Sequence, residues 1–164
     1  MKKRLLGTLL LLAMSLSLVA CNGGGTDDNG SGEGNKKEVT AAELAEALAT
    51  QIAYTGKIEK LDDDDVQYYI DLEDGVTGIV YEVAGVSSEQ VAVFTVPNAD
   101  AAQKTIEYLE ELLADQKDQN AAYDSKVVSR IENAVLVQKG NYVILSVSDD
   151  SAKAKQIIKE AFGE

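Results

Sequence analysis

The sequence predicts an α+β domain with a four-stranded sheet, formed by two hairpin–helix units and preceded by an N-terminal helix. Three observations support this fold class. The 164 residues and 45% hydrophobic content suit one domain with a short extension. Apolar residues recur at helical spacing before residue 72 and with a period of two from Thr77. Two continuous apolar segments, 91–96 and 142–147, each precede a helical pattern.

The first elements are helical. Thr40 and Glu43 have the spacing of a capping box, and the apolar stripe that follows predicts a helix to about Ile52. A second, short helix is expected after four consecutive aspartates, one of which would cap it because negative charge is favoured at a helix N-terminus. These aspartates are Asp62, Asp63, Asp64 and Asp65.

Strands are predicted at 77–83, 91–96, 134–137 and 142–147, from their alternating or continuous apolar residues. A helix from about 99 to 117 follows the second strand, and a short, helical link to Arg130 precedes the third. Gly140-Asn141 is a two-residue hairpin turn. Asp149 or Asp150 then caps the last helix.

These elements predict a strand order of 1-2-4-3, a permuted ferredoxin-like arrangement. The second and fourth strands are the most apolar and would be central, and a crossover makes the second and third strands parallel. The helices that follow strands two and four would cover one face of the sheet. The other face would then need the N-terminal helix or a partner.

Residues 1–20 have the layout of a secretory signal peptide: Lys2, Lys3 and Arg4 precede an apolar segment that is short for a membrane span. The segment ends in Leu18-Val19-Ala20-Cys21, which resembles the bacterial lipoprotein signal. The resemblance implies cleavage between Ala20 and Cys21 and acylation of Cys21, with palmitate-like chains that hold the protein on the extracytoplasmic face of the cell membrane. An ordinary secreted protein and an uncleaved membrane anchor are the alternatives.

Residues 21–38 are predicted to be the lipidated cysteine and a flexible tether, because the stretch is rich in Gly, Asn and Asp and has no large apolar residue. About 17 such residues typically span on the order of 20–25 Å. The folded domain would occupy residues 39–164.

The charge of the chain excludes one class of partner. Its net charge is −13, and loss of residues 1–20 leaves 12 basic against 28 acidic side chains, or −16. Nucleic acid requires clustered Lys and Arg and is therefore not expected as a partner. Anionic headgroups would also repel this domain, so that membrane attachment depends on the lipid at Cys21.

The run from Asp62 to Asp65 is the one candidate metal site, since Ca²⁺ prefers carboxylate oxygens. Asp71, Glu73 and Asp74 are near in sequence. Adjacent aspartates point in different directions, however, and no Asp-x-Asp-x-Asp-Gly loop is present. A solvated helix start is the simpler interpretation, and no other cofactor is predicted.

No catalytic residue is predicted. The chain has no His, one Cys and no Gly-x-Ser-x-Gly motif, which removes the usual nucleophile–base pairs. We therefore expect a non-enzymatic binding or accessory module for a cell-envelope ligand or protein. A carboxylate-based hydrolase and a cation-responsive protein that uses the aspartate run are the alternatives.

Three stretches carry a resemblance to a known family. They are Glu89 to Phe94, Tyr123 with the segment 131–135, and Lys139 to Val143 with the following Ser148-Asp149-Asp150. On the basis of these stretches, the segment from about residue 40 to residue 162 resembles domain-of-unknown-function family 4358. The resemblance implies an exported, often lipid-anchored domain, common in Gram-positive bacteria, and it supplies no catalytic residues.

Overall fold

The computed structural model describes residues 38–69, 74–85 and 87–164. The strands are β1 (Ile58–Lys60), β2 (Thr77–Val83), β3 (Gln90–Thr95), β4 (Val135–Lys139) and β5 (Tyr142–Val147). The helices are α1 (Ala41–Gln51), α2 (Asp63–Tyr69), α3 (Ala99–Asn120), α4 (Ser125–Glu132) and α5 (Ser151–Phe162). The strands form one antiparallel sheet in the order β1-β2-β3-β5-β4.

Helices cover both faces of this sheet. Side chains alternate along a strand, so Val91 and Val93 of β3 face α1 and α5, whereas Ala92 and Phe94 face α2, α3 and α4. Each face has its own apolar cluster, and β3 and β5 are buried along nearly their whole length. The second face is therefore covered by α1 together with α5.

The structure corrects the predicted sheet. The four predicted strands are β2 to β5, and their relative order is the expected 1-2-4-3, with β3 parallel to β4 across β5. However, β1 adds a fifth strand beside β2, so the four-stranded, ferredoxin-like sheet is not the one that forms. With three residues and mostly exposed side chains, β1 is too short to show a periodicity.

The placement of the helices was also predicted wrongly. We expected the helices after strands two and four on one face, but α3 and α5 lie on opposite faces. The position of α3 is constrained, because the connection from β3 to the parallel strand β4 must cross the sheet on one side. No such connection fixes α5 to that side, and it packs beside α1 on the opposite face.

The expected caps of α1 and α5 were predicted correctly, whereas the aspartate cap expected at α2 stays a prediction. Thr40 and Glu43 form a capping box at α1, and Asp150 caps α5. Asp124 caps α4, which is the helical link expected before Arg130. Gly140 adopts a positive φ of 57° in the β4–β5 turn, as a tight hairpin requires. These features depend on a few neighbouring residues, which is why the sequence specifies them.

The predicted signal peptide, the Ala20–Cys21 cleavage site, the lipidated Cys21 and the tether up to residue 37 lie outside the described residues. Within the described ranges, no helix combines the length and the apolar content that a membrane crossing needs.

Candidate functional site

Most of the buried polar residues of the described domain lie where β3 begins and β5 ends. Because the two strands are antiparallel and Gln90 pairs with Val147, the segment before β3 lies beside the segment after β5. We call this region the polar end of the sheet. It consists of Tyr54, Thr55, Ser87, Ser88, Glu89, Gln90, Arg130, Ser146, Ser148 and Asp149.

Glu89 is the centre of the polar end and is 0% exposed. Both of its carboxylate oxygens accept a hydrogen bond from the Thr55 backbone N–H at 3.1 Å. The hydroxyls of Thr55 and Ser87 also donate to it, the latter at 2.9 Å. Arg130 Nε lies 3.8 Å from Glu89 Oε1. The carboxylate is thus held by several donors and one cation, which a buried charge requires.

Arg130 connects this buried carboxylate to the surface. It projects from α4, is 7% exposed, and donates from Nε and Nη2 to the two oxygens of Asp149 at 2.8 and 3.1 Å. This bidentate pair is the strongest form of an arginine–carboxylate interaction. It raises the pKa of Arg130 and lowers the pKa of Asp149, each mainly through the hydrogen bonds between them. Asp149 itself is 61% exposed at its side chain.

Tyr54 fixes the chain between α1 and β1 in the polar end. Its hydroxyl donates to the Leu48 carbonyl at 3.0 Å. Burial, and then the negative charge of Glu89, raise the pKa of Tyr54 well above its ordinary value. The nearby Ser146 hydroxyl opposes this rise, although it does not reach the geometry of a full hydrogen bond. Tyr54 is therefore a neutral, positioned hydroxyl.

Two cavities open at the polar end and share Ser87. The first, which we call the charged cavity, has a volume of about 390 Å³. Its lining residues are Thr55, Gly56, Val83, Ala84, Ser87, Asp124, Lys126, Val127 and Arg130. The second, which we call the neutral cavity, has a volume of about 340 Å³. Its lining residues are Gly85, Ser87, Ser88, Gln116, Gln119 and Asn120.

The predicted cation residues lie elsewhere. Asp62 precedes α2, Asp63, Asp64 and Asp65 form its first turn, and all four are exposed. In the described part of the chain, no group of three or more Asp, Glu, Cys or His side chains has a geometry that could hold a metal ion. Asp71 and Glu73, considered as further ligands, lie outside the described residues. The cation site stays a prediction.

A further cavity of about 380 Å³ lies where β3 ends, at the opposite end of that strand from Glu89, and Asp63 is one of its lining residues. The aspartate run also affects β2. The pKa of Glu82 is raised, chiefly by partial burial and secondly by the charge of Asp65. Glu82 pairs with Gln90, so it lies on β2 near the start of β3 and not at the Asp63 cavity. Where β3 ends, the described residues have no buried carboxylate–arginine pair.

Sequence reasoning missed Glu89 and Arg130 as site residues. One signal was available: Arg130 is the only arginine after residue 20 of a strongly acidic chain. Another was the position of Glu89 two residues before the apolar segment 91–96, where a carboxylate that enters the interior requires a partner. Neither signal gives the pairing, since Glu89 and Arg130 are 41 residues apart.

Comparison with known proteins places this site within a family. The profile of the family described as "Domain of unknown function (DUF4358)" matches residues 50–148, a segment that includes both Glu89 and Arg130. No curated protein and no solved structure matches the chain. The profile covers more than half of the sequence, and the chain therefore belongs to the DUF4358 family.

Proposed function

We propose that the protein is a lipid-anchored extracytoplasmic lipoprotein whose domain is a non-enzymatic binding module for a cell-envelope ligand or protein. The observation that carries this proposal is the meeting of two cavities at Ser87, above a buried and fully held carboxylate. Such an arrangement gives a rigid, concave and polar surface, which is what a small-ligand or peptide site needs.

The electrostatics of the polar end favour binding over catalysis. The oxygens of Glu89 are occupied by Thr55 and Ser87, and the residue has no exposed surface with which to meet a substrate. A carboxylate-based hydrolase needs one carboxyl with a raised pKa as a proton donor. The pKa of Asp149, the exposed carboxylate of the cluster, is lowered instead.

The proposal of membrane attachment is based on the sequence that precedes the domain. Ala20 and Cys21 would be the cleavage site, and acylation of Cys21 would hold a mature chain of charge −16 at a membrane whose anionic lipids repel it. The partners would then be the membrane, through the lipid, and an envelope component, through the polar end.

Metabolic labelling with an alkyne analogue of palmitate tests the anchor. We expect the native chain to carry the label and to sediment with membranes, and the Cys21→Ser variant to lose both properties. Ser15→Ala, inside the same leader, is the matched control and should behave as the parent. Unlabelled native protein, or native protein in the cytosol, would contradict the proposal.

Site-specific photocrosslinking tests the binding module. A benzoylphenylalanine at position 126, on the rim of the charged cavity, should capture one distinct envelope component in living cells. The same group at position 155, which is exposed on α5 across the sheet, is the control and should not. Identical products at both positions, or none at position 126, would remove the charged cavity as the binding surface.

A further inference from the structure

We propose that the neutral cavity is a saccharide site, which takes an uncharged, polyhydroxylated ligand. This inference rests on the proposed binding function and specifies its ligand class. It concerns the cavity lined by Ser88 and Gln116, which lies between the start of β3 and the last turns of α3.

Three polar atoms on this side of the sheet are buried and have no hydrogen-bond partner among the described residues. They are Ser88 Oγ, Gln90 Nε2 and Gln116 Oε1. Gln90 pairs with Val147, a member of the apolar cluster beneath α3 and α4, so its side chain lies on the α3 face. Ser88 is only 8% exposed.

Buried polar groups in native proteins are almost always hydrogen-bonded, because an unmatched one costs free energy. Two of these unmatched atoms, Ser88 Oγ and Gln116 Oε1, belong to residues that line the neutral cavity, and they therefore indicate an external partner. That partner must donate to Gln116 Oε1, and it can either donate to the Ser88 hydroxyl or accept from it. A sugar hydroxyl both donates and accepts, so adjacent hydroxyls of one ring can satisfy such a mixed set.

The lining of the cavity also selects against charge. Its side chains are hydroxyls and carboxamides, with no Lys, Arg, Asp or Glu among them. An anion would find no cation here, because the nearest guanidinium, Arg130, lines the other cavity and is bound by Asp149. Its volume of about 340 Å³ is at the lower end of small-molecule sites, about 300–1,000 Å³.

An exposed tyrosine follows the cavity wall in the chain. Tyr123 is 88% exposed and is the only large exposed apolar side chain in the described part of the chain. Its backbone N–H donates to the carbonyl of Asn120, a lining residue, at 3.0 Å. A tyrosine ring offers an apolar face with a polar tip, and the C–H face of a sugar ring is complementary to it.

The ligand class can be tested by NMR titration of the full chain in detergent micelles. Glucose, galactose and N-acetylglucosamine are the neutral probes, and glucuronate is the matched probe, because it has the ring of glucose with one carboxylate added. We expect at least one neutral sugar to shift the side-chain amide signals of Gln116 and Asn120 to saturation, and glucuronate to leave them unchanged. If no neutral sugar saturates, or if glucuronate binds equally, the proposal is overturned.

Variants test the site itself. Ser88→Ala and Gln116→Met each remove one hydrogen-bonding group, so we expect about a fivefold loss of affinity for the sugar that binds. Because Ser88 Oγ and Gln116 Oε1 have no partner among the described residues, their removal should leave the Tm unchanged or raise it. Gln103→Met, at an exposed position of the same helix, is the control and should leave affinity unchanged. Unaltered affinity in both site variants, or a fall in Tm, would show a structural role and overturn the proposal.

The outcomes separate the two proposals. A sugar panel without effect, together with a distinct envelope component captured from position 126, removes the saccharide site and leaves the binding module. Saturable sugar binding that is lost in Gln116→Met supports the saccharide site, whatever the crosslinking at position 126 shows.

Discussion

Two acidic regions of this domain differ in almost every respect. Asp62 to Asp65 place four adjacent carboxylates at the start of α2, and all four are exposed. Glu89 is a single carboxylate with no exposed surface, held by Thr55, Ser87 and Arg130. The run is conspicuous in the sequence and Glu89 is not, yet Glu89 organises a whole end of the sheet. The depth of a charge therefore matters more here than the local number of charges.

The difference follows from hydration. An exposed carboxylate keeps its water, and the first turn of a helix stabilises it by only about 0.3–1 kcal/mol. A buried carboxylate loses its water and depends on protein donors, so that removal of a charge partner costs about 3–5 kcal/mol. Substitutions at the two regions should therefore have effects of very different size.

The largest effect is expected from Arg130→Met, which keeps the length of the side chain and removes its charge. It leaves Glu89 buried beside no cation, although the Thr55 and Ser87 hydrogen bonds remain. We expect a loss of about 3 kcal/mol in the free energy of unfolding, measured by urea denaturation. Lys155→Met, at an exposed position of α5, is the control. A loss under about 1 kcal/mol would show that hydrogen bonds alone hold the charge.

A smaller loss is expected from Glu89→Gln. The amide keeps the shape of the side chain, but its NH₂ cannot accept the hydrogen bonds that Thr55 and Ser87 donate, which costs about 1–3 kcal/mol. Combined with Arg130→Met, it should lose less stability than the sum of the single losses, because the first change removes the charge that the second would leave unpaired. Additive losses in urea denaturation would mean that Glu89 and Arg130 do not interact across their 3.8 Å separation.

Asp149→Asn should have a weaker and pH-dependent effect, because the Asp149 side chain is largely exposed and screened by solvent. The pKa of Asp149 is lowered in the folded state, so its contribution is present above the unfolded pKa of about 3.9 and is lost as the pH falls through the folded pKa. We expect a deficit of about 0.5–1 kcal/mol at pH 7.

Chemical denaturation between pH 2 and pH 7 checks this dependence. The stability curves of the parent and of Asp149→Asn should converge as the pH falls below 4. Asp150→Asn serves as the comparison, since Asn also caps helices well and this residue does not pair with Arg130. A gap between the curves that stays constant down to pH 2 would mean that the charge of Asp149 does not stabilise the fold.

The same contrast shows what the sequence could predict. The caps at Thr40 and Asp150, the Gly140 turn and strands β2 to β5 depend on neighbouring residues, and they were predicted correctly. The pairing of Glu89 with Arg130 and the division of α3 and α5 between two faces depend on tertiary contacts, which no local pattern encodes. The density of charge at Asp62–Asp65 is visible in the sequence. Burial, which distinguishes Glu89, is a property of the fold and is not visible there.

The smallest effect is expected within the aspartate run. Asp65→Asn should change the free energy of unfolding by no more than about 0.5 kcal/mol, since it replaces an exposed group. It should nevertheless lower the pKa of Glu82, because the charge of Asp65 is one of the two causes that raise it. Burial is the larger cause and remains, so the pKa of Glu82 should stay above its ordinary value. NMR titration of the Glu82 carboxyl carbon measures this shift, and Asp64→Asn, at the neighbouring exposed position, should leave it unchanged. Equal shifts in both variants would mean that the pKa of Glu82 responds to the net charge of the run and not to Asp65 in particular.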